Sequence, residues 1–256
     1  MSTELTIYNG DADFAGMRQS DISMPRVRLT QSLSPWRKER KADDGDYFDT
    51  GSQRVIRAYN DAKPMMVIPL AFAYAWIEWN PNKKCAKAEI IKRQSTVPGS
   101  ELEKMALSFE KVVNSEGKEV LRVTEYYNYI CALPEYSGNL EDLFTLSFYR
   151  STHKIGKEWL NRMRRCRMAD GKTTAPMWFN SWAFTAKEEK NAAGEGYIVP
   201  AIGAATAVPK EWHTDLHAKS SLLREMKAKV ADMAANQAAD DGQTDDAPSK
   251  ANSEFT

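Results

Sequence analysis

The chain has 256 residues, of which 42% are apolar, and its 35 Lys and Arg residues balance its 35 Asp and Glu residues. This length and composition suit one globular domain with appendages and argue against two large domains. The cysteines Cys85, Cys131 and Cys166 are far apart, which argues against a disulfide framework or a paired-cysteine zinc site. A polar, acidic N-terminus and the lack of an 18-residue apolar run predict a cytoplasmic protein without a signal peptide or a membrane span.

The first predicted elements are strands. Residues 1–22 are polar and predict a flexible lead, after which RVRLTQS (26–32) alternates as a strand does. Turn signals follow between Lys41 and Gly51, around Tyr47 and Phe48.

A long strand is predicted from Pro64 to Trp79, because side chains of two kinds alternate there. One face carries Phe72, Tyr74 and Trp76, and the other carries Ala71, Ala73, Ala75 and Ile77. The small residues predict a closely covered face. The aromatic row belongs either to the core or to a platform on which a ligand stacks.

Further strands are predicted over Val120 to Leu133, Leu143 to Arg150, Met177 to Thr185 and Gly196 to Ile202, and the last two form a hairpin. Strands and helices do not alternate, so a doubly wound sheet is disfavoured. The pattern predicts a mainly β, α+β fold with an antiparallel sheet.

One helix is strongly basic. The segment FYRSTHKIGKEWLNRMRRCRM (148–168) carries seven Lys and Arg residues and the single acid Glu158. On a helical wheel, one arc holds Lys154, Lys157, Asn161, Arg164 and Arg165, and the opposite side holds Ile155, Trp159, Met163 and Cys166. The segment is either a solvated amphipathic helix or a surface for an anion. The near absence of acids at i,i+4 spacing favours the anion-binding interpretation.

The C-terminal region divides into a helix and a tail. Lys210 to Ala235 has helical periodicity, whereas 237–256 is poor in apolar residues and predicts disorder. The tail residues singled out are Asp240, Asp241, Asp245, Asp246, Glu254 and Phe255. They predict a solubilising tail, a docking peptide, or a mimic of nucleic-acid charge that competes for the basic surface. The predicted organisation is a lead (1–22), a domain (23–209), a helix (210–236) and a tail (237–256).

Catalytic motifs are missing from the sequence. It contains no phosphate-binding loop, no nucleophile elbow and no HExxH motif. His213 and His217 lie one helical turn apart without a third ligand nearby, and the Glu116 to Lys118 triplet indicates a hairpin turn more simply than a nuclease strand. We therefore expect no enzyme activity, no metal and no cofactor.

Single-stranded nucleic acid is bound by a cationic track for the backbone and by rings on which bases stack. The chain has both, and no helix or finger motif of a duplex reader is visible. The predicted nucleic-acid-binding residues are Trp76, Trp79, Lys83, Lys84, Tyr149, Arg150, Lys154, Lys157, Arg164, Arg165 and Trp182.

Five segments carry a resemblance to a known family. In chain order they are MPRVRLTQSLSP, DYFDTG, VIPLAFAYAWIEW, LSFYRSTHKIGKEWL and FNSWAFTAKEEKNAAGEGYIVPAI. They resemble the single-stranded DNA-binding proteins encoded in replication modules of tailed bacteriophages, over roughly residues 24–203.

The resemblance implies an OB-fold-like antiparallel β-barrel, here with an inserted basic helix and a C-terminal helix, and no catalysis. It implies coating of single-stranded DNA in replication, recombination and repair within the infected bacterial cell. The acidic tail is similar to tails that contact replication or recombination proteins. Two alternatives stay open: a metal-dependent nuclease of the same module, and a protein-interaction cofactor. The sequence also leaves open a homo-oligomer.

Overall fold

The computed structural model describes residues 25–82, 90–134, 143–190, 194 and 196–225. Antiparallel strands dominate these ranges and four α-helices accompany them, so the predicted α+β class is confirmed. The strands are β1 (Val27–Leu29), β2 (Tyr47–Asp49), β3 (Arg54–Arg57), β4 (Met65–Trp79), β5 (Ile91–Ser95), β6 (Lys111–Val113), β7 (Glu119–Leu121), β8 (Val123–Ala132), β9 (Phe144–Phe148), β10 (Asn180–Lys190) and β11 (Gly196–Ala207). The helices are α1 (Pro35–Lys38), α2 (Glu101–Leu107), α3 (His153–Arg165) and α4 (His213–Glu225).

The central sheet has the order β11-β10-β4-β8-β9, and β5 pairs with the far half of β4. Strand β4 is its spine: Met65–Val67 pair with β10, and Ile68–Glu78 pair with β8. Two smaller sheets, β1-β2-β3 and β6-β7, complete the described strands. A single parallel bridge between Arg26 and Thr145 connects the first of these to β9.

Helices cover the two faces of the central sheet. On one face, which we call the α3 face, Trp159 of α3 packs among Tyr129, Phe148 and Phe184. On the other face, the α4 face, Leu216 and other residues of α4 pack on Leu70, Ile130 and Trp178. The alternation of β4 is as predicted, since Ala71, Ala73 and Ala75 are buried on the α4 face.

Helix α3 lies very close to the sheet at Gly156. A Cβ atom at this position would lie 2.6 Å from Phe148 Cβ. Tyr129 Oη donates a hydrogen bond of 2.6 Å to the carbonyl oxygen of Gly156. The missing side chain of Gly156 therefore determines how deeply α3 can sit.

The structure corrects two of the predicted elements. Tyr47 and Phe48 lie in strand β2 and are 1% and 0% exposed, so they are core residues rather than part of a turn. Met177–Phe179 forms a 3-10 turn, and β10 begins only at Asn180. A three-residue strand between turn residues is too short to show alternation, and Pro176 prevents the strand from extending backwards.

Other predicted elements are placed as expected. The structure has β4, the basic helix α3, the hairpin of β10 and β11, and a helix over His213–Glu225. The lead 1–22 and the tail 237–256 lie outside the described residues. The described strands do not close into a barrel, so the OB-fold part of the prediction is not confirmed. Within the described ranges, no helix combines the length and the hydropathy that crossing a membrane requires.

Candidate nucleic-acid interface

The structure distributes the sequence-predicted site residues over three places and leaves some undescribed. The first place is the core, which contains Trp76 and Trp182. The second is the end of the sheet where β9 passes into α3, which contains Trp79, Tyr149 and Arg150. The third is the outer face of α3, with Lys154, Lys157, Arg164 and Arg165. Lys83, Lys84 and the tail residues Asp240, Asp241, Asp245, Asp246, Glu254 and Phe255 lie outside the described residues.

The two core tryptophans are buried and make their contacts within the protein. Trp76 is 0% exposed, stacks on Tyr74, and donates a hydrogen bond of 3.1 Å from Nε1 to Glu125 Oε1. Trp182 is 2% exposed, and the guanidinium carbon of Arg162 lies 4.8 Å from the centre of its ring. Stacking on a base would require the surrounding core to open. The structure therefore has both rings buried in the core rather than exposed for contact with a base.

The outer face of α3 is an uncompensated positive surface. Lys154, Lys157, Arg164 and Arg165 are all exposed, and no ion pair joins any of them to another described residue. Elsewhere on the surface, each of Lys111, Lys118 and Lys187 is paired with a glutamate. Burial of Trp159 and Met163 on the inner face keeps the helix in place despite the like charges outside. Such a surface raises the local concentration of anions.

A ladder of three rings adjoins the N-terminal end of this helix. Tyr149 stacks on Tyr126 with ring centres 4.5 Å apart, and the ring of Trp79 lies 6.5 Å from Tyr126 on the other side. Tyr126 is buried, whereas Tyr149 and Trp79 are half-buried and expose part of their rings. Trp79 Nε1 has no hydrogen-bond partner among the described residues.

Cations surround the tyrosine at the centre of this ladder. Burial raises the pKa of Tyr126 and the neighbouring Tyr149 adds to the rise, whereas the positive charges of Arg150, Arg26 and Arg28 oppose it. Arg150 is exposed and has a left-handed backbone conformation with φ of 48°. For a residue with a side chain this conformation costs about 1–2 kcal/mol, so the surrounding structure must hold it.

The ring ladder and the basic face are continuous along the chain. Arg150–Thr152 forms a 3-10 turn directly after Tyr149, and α3 begins at the next residue. Thr152 Oγ1 fixes this turn to Tyr149, because it accepts a hydrogen bond from Tyr149 N and donates one to Tyr149 O, both of 3.0 Å. From Lys154 to Arg165 the helix is about 17 Å long. The ladder lies on the α4 face, with Ala75 and Ile77, whereas α3 covers the opposite face of the sheet. The 3-10 turn therefore carries the chain around the end of the sheet, from the rings to the exposed cations of α3.

A second pair of rings was not among the predicted site residues. Phe72 and Tyr74 are half-buried on the α3 face, 4.7 Å apart, and Tyr127 connects them to His153 at the start of α3. Burial raises the pKa of Tyr74, and the positive charge of Arg164 is close enough to oppose this. In the sequence, the alternation of aromatic and small residues in β4 was the pattern that could have identified these two rings. Their partial exposure depends on how far α2 and α3 cover the strand.

The candidate catalytic and metal-binding residues have structural partners. Asn114 Oδ1 accepts hydrogen bonds from the backbone N of Glu116 and of Lys118, at 2.9 and 2.8 Å, in the turn between β6 and β7. The hairpin interpretation of this triplet is therefore confirmed. His213 and His217 both pack edge-on against Trp178. Among the residues that the structure describes, no three His, Cys, Asp or Glu side chains come close enough to hold a metal ion.

Fold and site together define an α+β protein in which a basic helix face, without ion pairs to other described residues, follows partly exposed aromatic rings along the chain. A family model described as Pam3 phage gp34-like protein matches residues 3–232. The chain belongs to this phage protein family. Comparison with curated proteins and with solved structures finds no match.

Proposed function

We propose that the chain is a sequence-nonspecific single-stranded DNA-binding protein that coats and protects DNA during phage replication, recombination and repair in the cytoplasm of the infected cell. It acts as a binder without catalysis or a cofactor. The observation that carries the proposal is the row of exposed cations on α3, which no ion pair joins to another described residue. A single 3-10 turn separates this row from the half-exposed ring of Tyr149 at the end of the sheet.

Each part of this surface has a role in the proposal. Lys154, Lys157, Arg164 and Arg165 contact backbone phosphates, and Arg150 joins them at the start of the track. Tyr149 and Trp79 provide faces on which unpaired bases stack, at about 1–3 kcal/mol each. Nothing in the arrangement selects a base edge, so the binding is nonspecific.

The strand order supports an OB-like domain. An OB-fold has five strands with a helix between the third and the fourth. Here β4, β8, β9, α3, β10 and β11 occur in that order, with β5, α2, β6 and β7 inserted between β4 and β8. The sheet order β9-β8-β4-β10-β11 corresponds to an OB-fold opened between strands three and five. The surface across strands two and three and the loop after strand one are where OB-folds bind oligonucleotides. Tyr126 of β8 and Tyr149, directly after β9, lie on that surface. In the sequence, Lys83 and Lys84 come shortly after Trp79.

The test is a titration of labelled oligo(dT) with the full chain, followed by fluorescence anisotropy between about 50 and 200 mM salt. We expect tight binding that weakens steeply with salt, and weak binding to a duplex of matched length. The double variant Lys157→Glu/Arg164→Glu should lower the affinity at least about tenfold and reduce the salt slope by about 0.7 for each lost phosphate contact.

The matched control is Lys111→Glu/Lys118→Glu, which changes the net charge equally but removes cations that are already paired. Equal losses of affinity in the two variants would show that the net charge of the chain, and not the position of the cations on α3, determines binding. Absence of oligo(dT) binding at low salt would refute the proposal.

One observation favours a second candidate, a protein-interaction cofactor. Leu107, Phe109 and Val113 are 65%, 67% and 63% exposed on the arm that joins β5 to β8. Large exposed apolar side chains on one small element are typical of a surface that meets a protein. This candidate predicts a stable partner complex that Phe109→Ser abolishes, with no affinity for oligo(dT).

The nuclease alternative makes a different prediction. It requires magnesium-dependent shortening of a labelled oligonucleotide, and Glu116→Ala should then stop the reaction. We expect no shortening with either chain.

A further inference from the structure

A cavity of about 440 Å³ lies between β3, the turn after it and the beginning of β4. Its lining combines the cations Arg54, Arg57 and Lys63 with the apolar residues Met65, Met66 and Leu133. One acid, Asp61, also lines it, and an oxygen of its carboxylate already accepts a hydrogen bond from Ala58 N at 2.8 Å. The cavity therefore offers positive charge at an apolar wall.

Arg57 has donor capacity that the protein does not use. Its side chain is buried at 6% exposure, with Nε donating to Lys63 O and Nη2 donating to Asp61 O, both at 2.9 Å. Its Nη1 is buried without a hydrogen-bond partner among the described residues. This nitrogen is closed to solvent, so Arg57 contributes its positive charge to the wall while its side chain stays part of the fold. Lys63 is exposed, and no ion pair joins it to a described residue.

The lining favours an acidic peptide over a nucleotide. Among the residues that the structure describes, no aromatic ring lines the cavity, so none of them offers a base a stacking partner. The half-buried Met66 is adaptable and makes favourable contacts with a phenyl ring, whereas Met65, next to it in the strand, belongs to the core. The ligand that fits both parts of the wall has carboxylates and an aromatic side chain.

The chain itself contains such a peptide. The segment from Asp240 to Phe255 carries five acids against Lys250, with Glu254 directly before Phe255. We propose that this segment docks in the cavity of its own molecule, with Phe255 against Met66 and with carboxylates on Arg54 and Lys63.

The length of the chain permits this docking. Helix α4 is anchored on the sheet by Ser220 Oγ, which donates a hydrogen bond of 2.8 Å to Leu70 O. Leu70 lies about 17 Å along β4 from Met65. The residues between Glu225 and Phe255 can span up to about 100 Å, so the segment reaches the cavity easily. The cavity borders β3 and β4, whereas the proposed DNA track follows α3, so the two sites are separate.

The test replaces Phe255 in the full chain with the photoreactive residue p-benzoylphenylalanine and irradiates it without DNA. We expect a cross-link within one molecule to Met66, found by mass spectrometry of the digested monomer. The variant Arg54→Glu/Lys63→Glu should reduce the yield severalfold. The variant Lys111→Glu/Lys118→Glu, with the same change of net charge, should leave the yield unchanged.

Three results would overturn the proposal. They are cross-links to the basic face of α3, cross-links between two molecules, or a yield that is equal in the cavity variant and its control.

A further experiment repeats the irradiation with saturating oligo(dT). An unchanged yield supports a separate site, and a lost cross-link would assign the cavity to nucleic acid. The measurement without DNA is informative even if the chain does not bind oligo(dT), so the two proposals fail independently.

Discussion

Gly156 is the residue at which the basic helix meets the sheet. Alanine usually stabilises a helix relative to glycine by about 1 kcal/mol. Here the new Cβ would lie 2.6 Å from Phe148 Cβ, which is anchored near the backbone and cannot move freely. We expect Gly156→Ala to lower the free energy of unfolding by about 1–2 kcal/mol in urea denaturation. Asn161→Ala on the exposed face of the same helix should have no cost, and a neutral Gly156→Ala variant would contradict this account.

Tyr149 tests whether the ring ladder is used for stacking. Its ring lies on that of Tyr126 at one face and is half-exposed. If bases stack on it, Tyr149→Ala should weaken oligo(dT) binding by about 1–3 kcal/mol, whereas Tyr149→Phe should retain most of the affinity. The measurement is anisotropy at one fixed salt concentration. Equal losses in both variants would assign the role to the hydroxyl group instead.

At the scale of elements, Glu78 links the arm that joins β5 to β8 with the central sheet, in addition to the pairing of β5 with β4. The carboxylate of this buried residue accepts hydrogen bonds from Arg93 Nε at 2.6 Å and from Arg122 Nε at 2.8 Å. Burial alone would raise the pKa of Glu78, but the hydrogen bonds from Arg122 and Arg93 outweigh it and hold the pKa below its usual range. The pairing therefore stabilises the fold above the carboxyl's unfolded pKa, near pH 4 to 5, and is lost as the pH falls further.

We accordingly expect Glu78→Gln to lower the free energy of unfolding by about 3 kcal/mol near neutral pH. Hydrogen exchange should accelerate in β5 while the amides that pair β10 with β11 keep their protection. Part of the acid sensitivity of the wild-type chain should be missing from the variant. Uniform acceleration across the molecule would show that the arm is not a separate unit.

Elements differed in how well the sequence predicted them. Strand β4 was predicted almost to its ends because fifteen residues alternate, and α3 because its charges and apolar residues occupy opposite sides. Strand β2 was missed because three residues show no period. The exposure of rings was not predictable from one strand. Leu102 of α2 covers Trp76 and leaves Tyr74 half-open, and this depends on a segment about 25 residues further along the chain.

At the scale of the whole molecule, buried tyrosines make the fold sensitive to alkali. Burial raises the pKa values of Tyr47, Tyr126 and Tyr129. Because the folded state keeps these phenols protonated and the unfolded chain releases their protons near pH 10, stability is complete below that pH and falls above it. Each phenol contributes a loss of up to about 1.4 kcal/mol per pH unit. We expect the midpoint of urea denaturation to fall steeply above about pH 10, and less steeply in Tyr129→Phe.

The arrangement of the whole sheet was only partly predictable. Strand texture indicated an antiparallel α+β fold, and the structure has one. The pairing of β4 with β10 has no local signature, because its partners Met65 and Phe184 are far apart in the chain. The candidate site was predicted where it is local, from Tyr149 to Arg165. It was not predicted where it depends on distant packing, as at Phe72 and Tyr74.

The pairing of Met65 with Phe184 also has a consequence during synthesis. On the ribosome, β4 is made first and its partner β10 follows more than a hundred residues later. At about 5–20 residues per second, the apolar end of β4 waits of the order of ten seconds for that partner. During this interval the nascent chain exposes an unpaired hydrophobic edge. We expect truncated chains that end before β10 to associate with one another or with chaperones, and the complete chain to escape once β10 has formed.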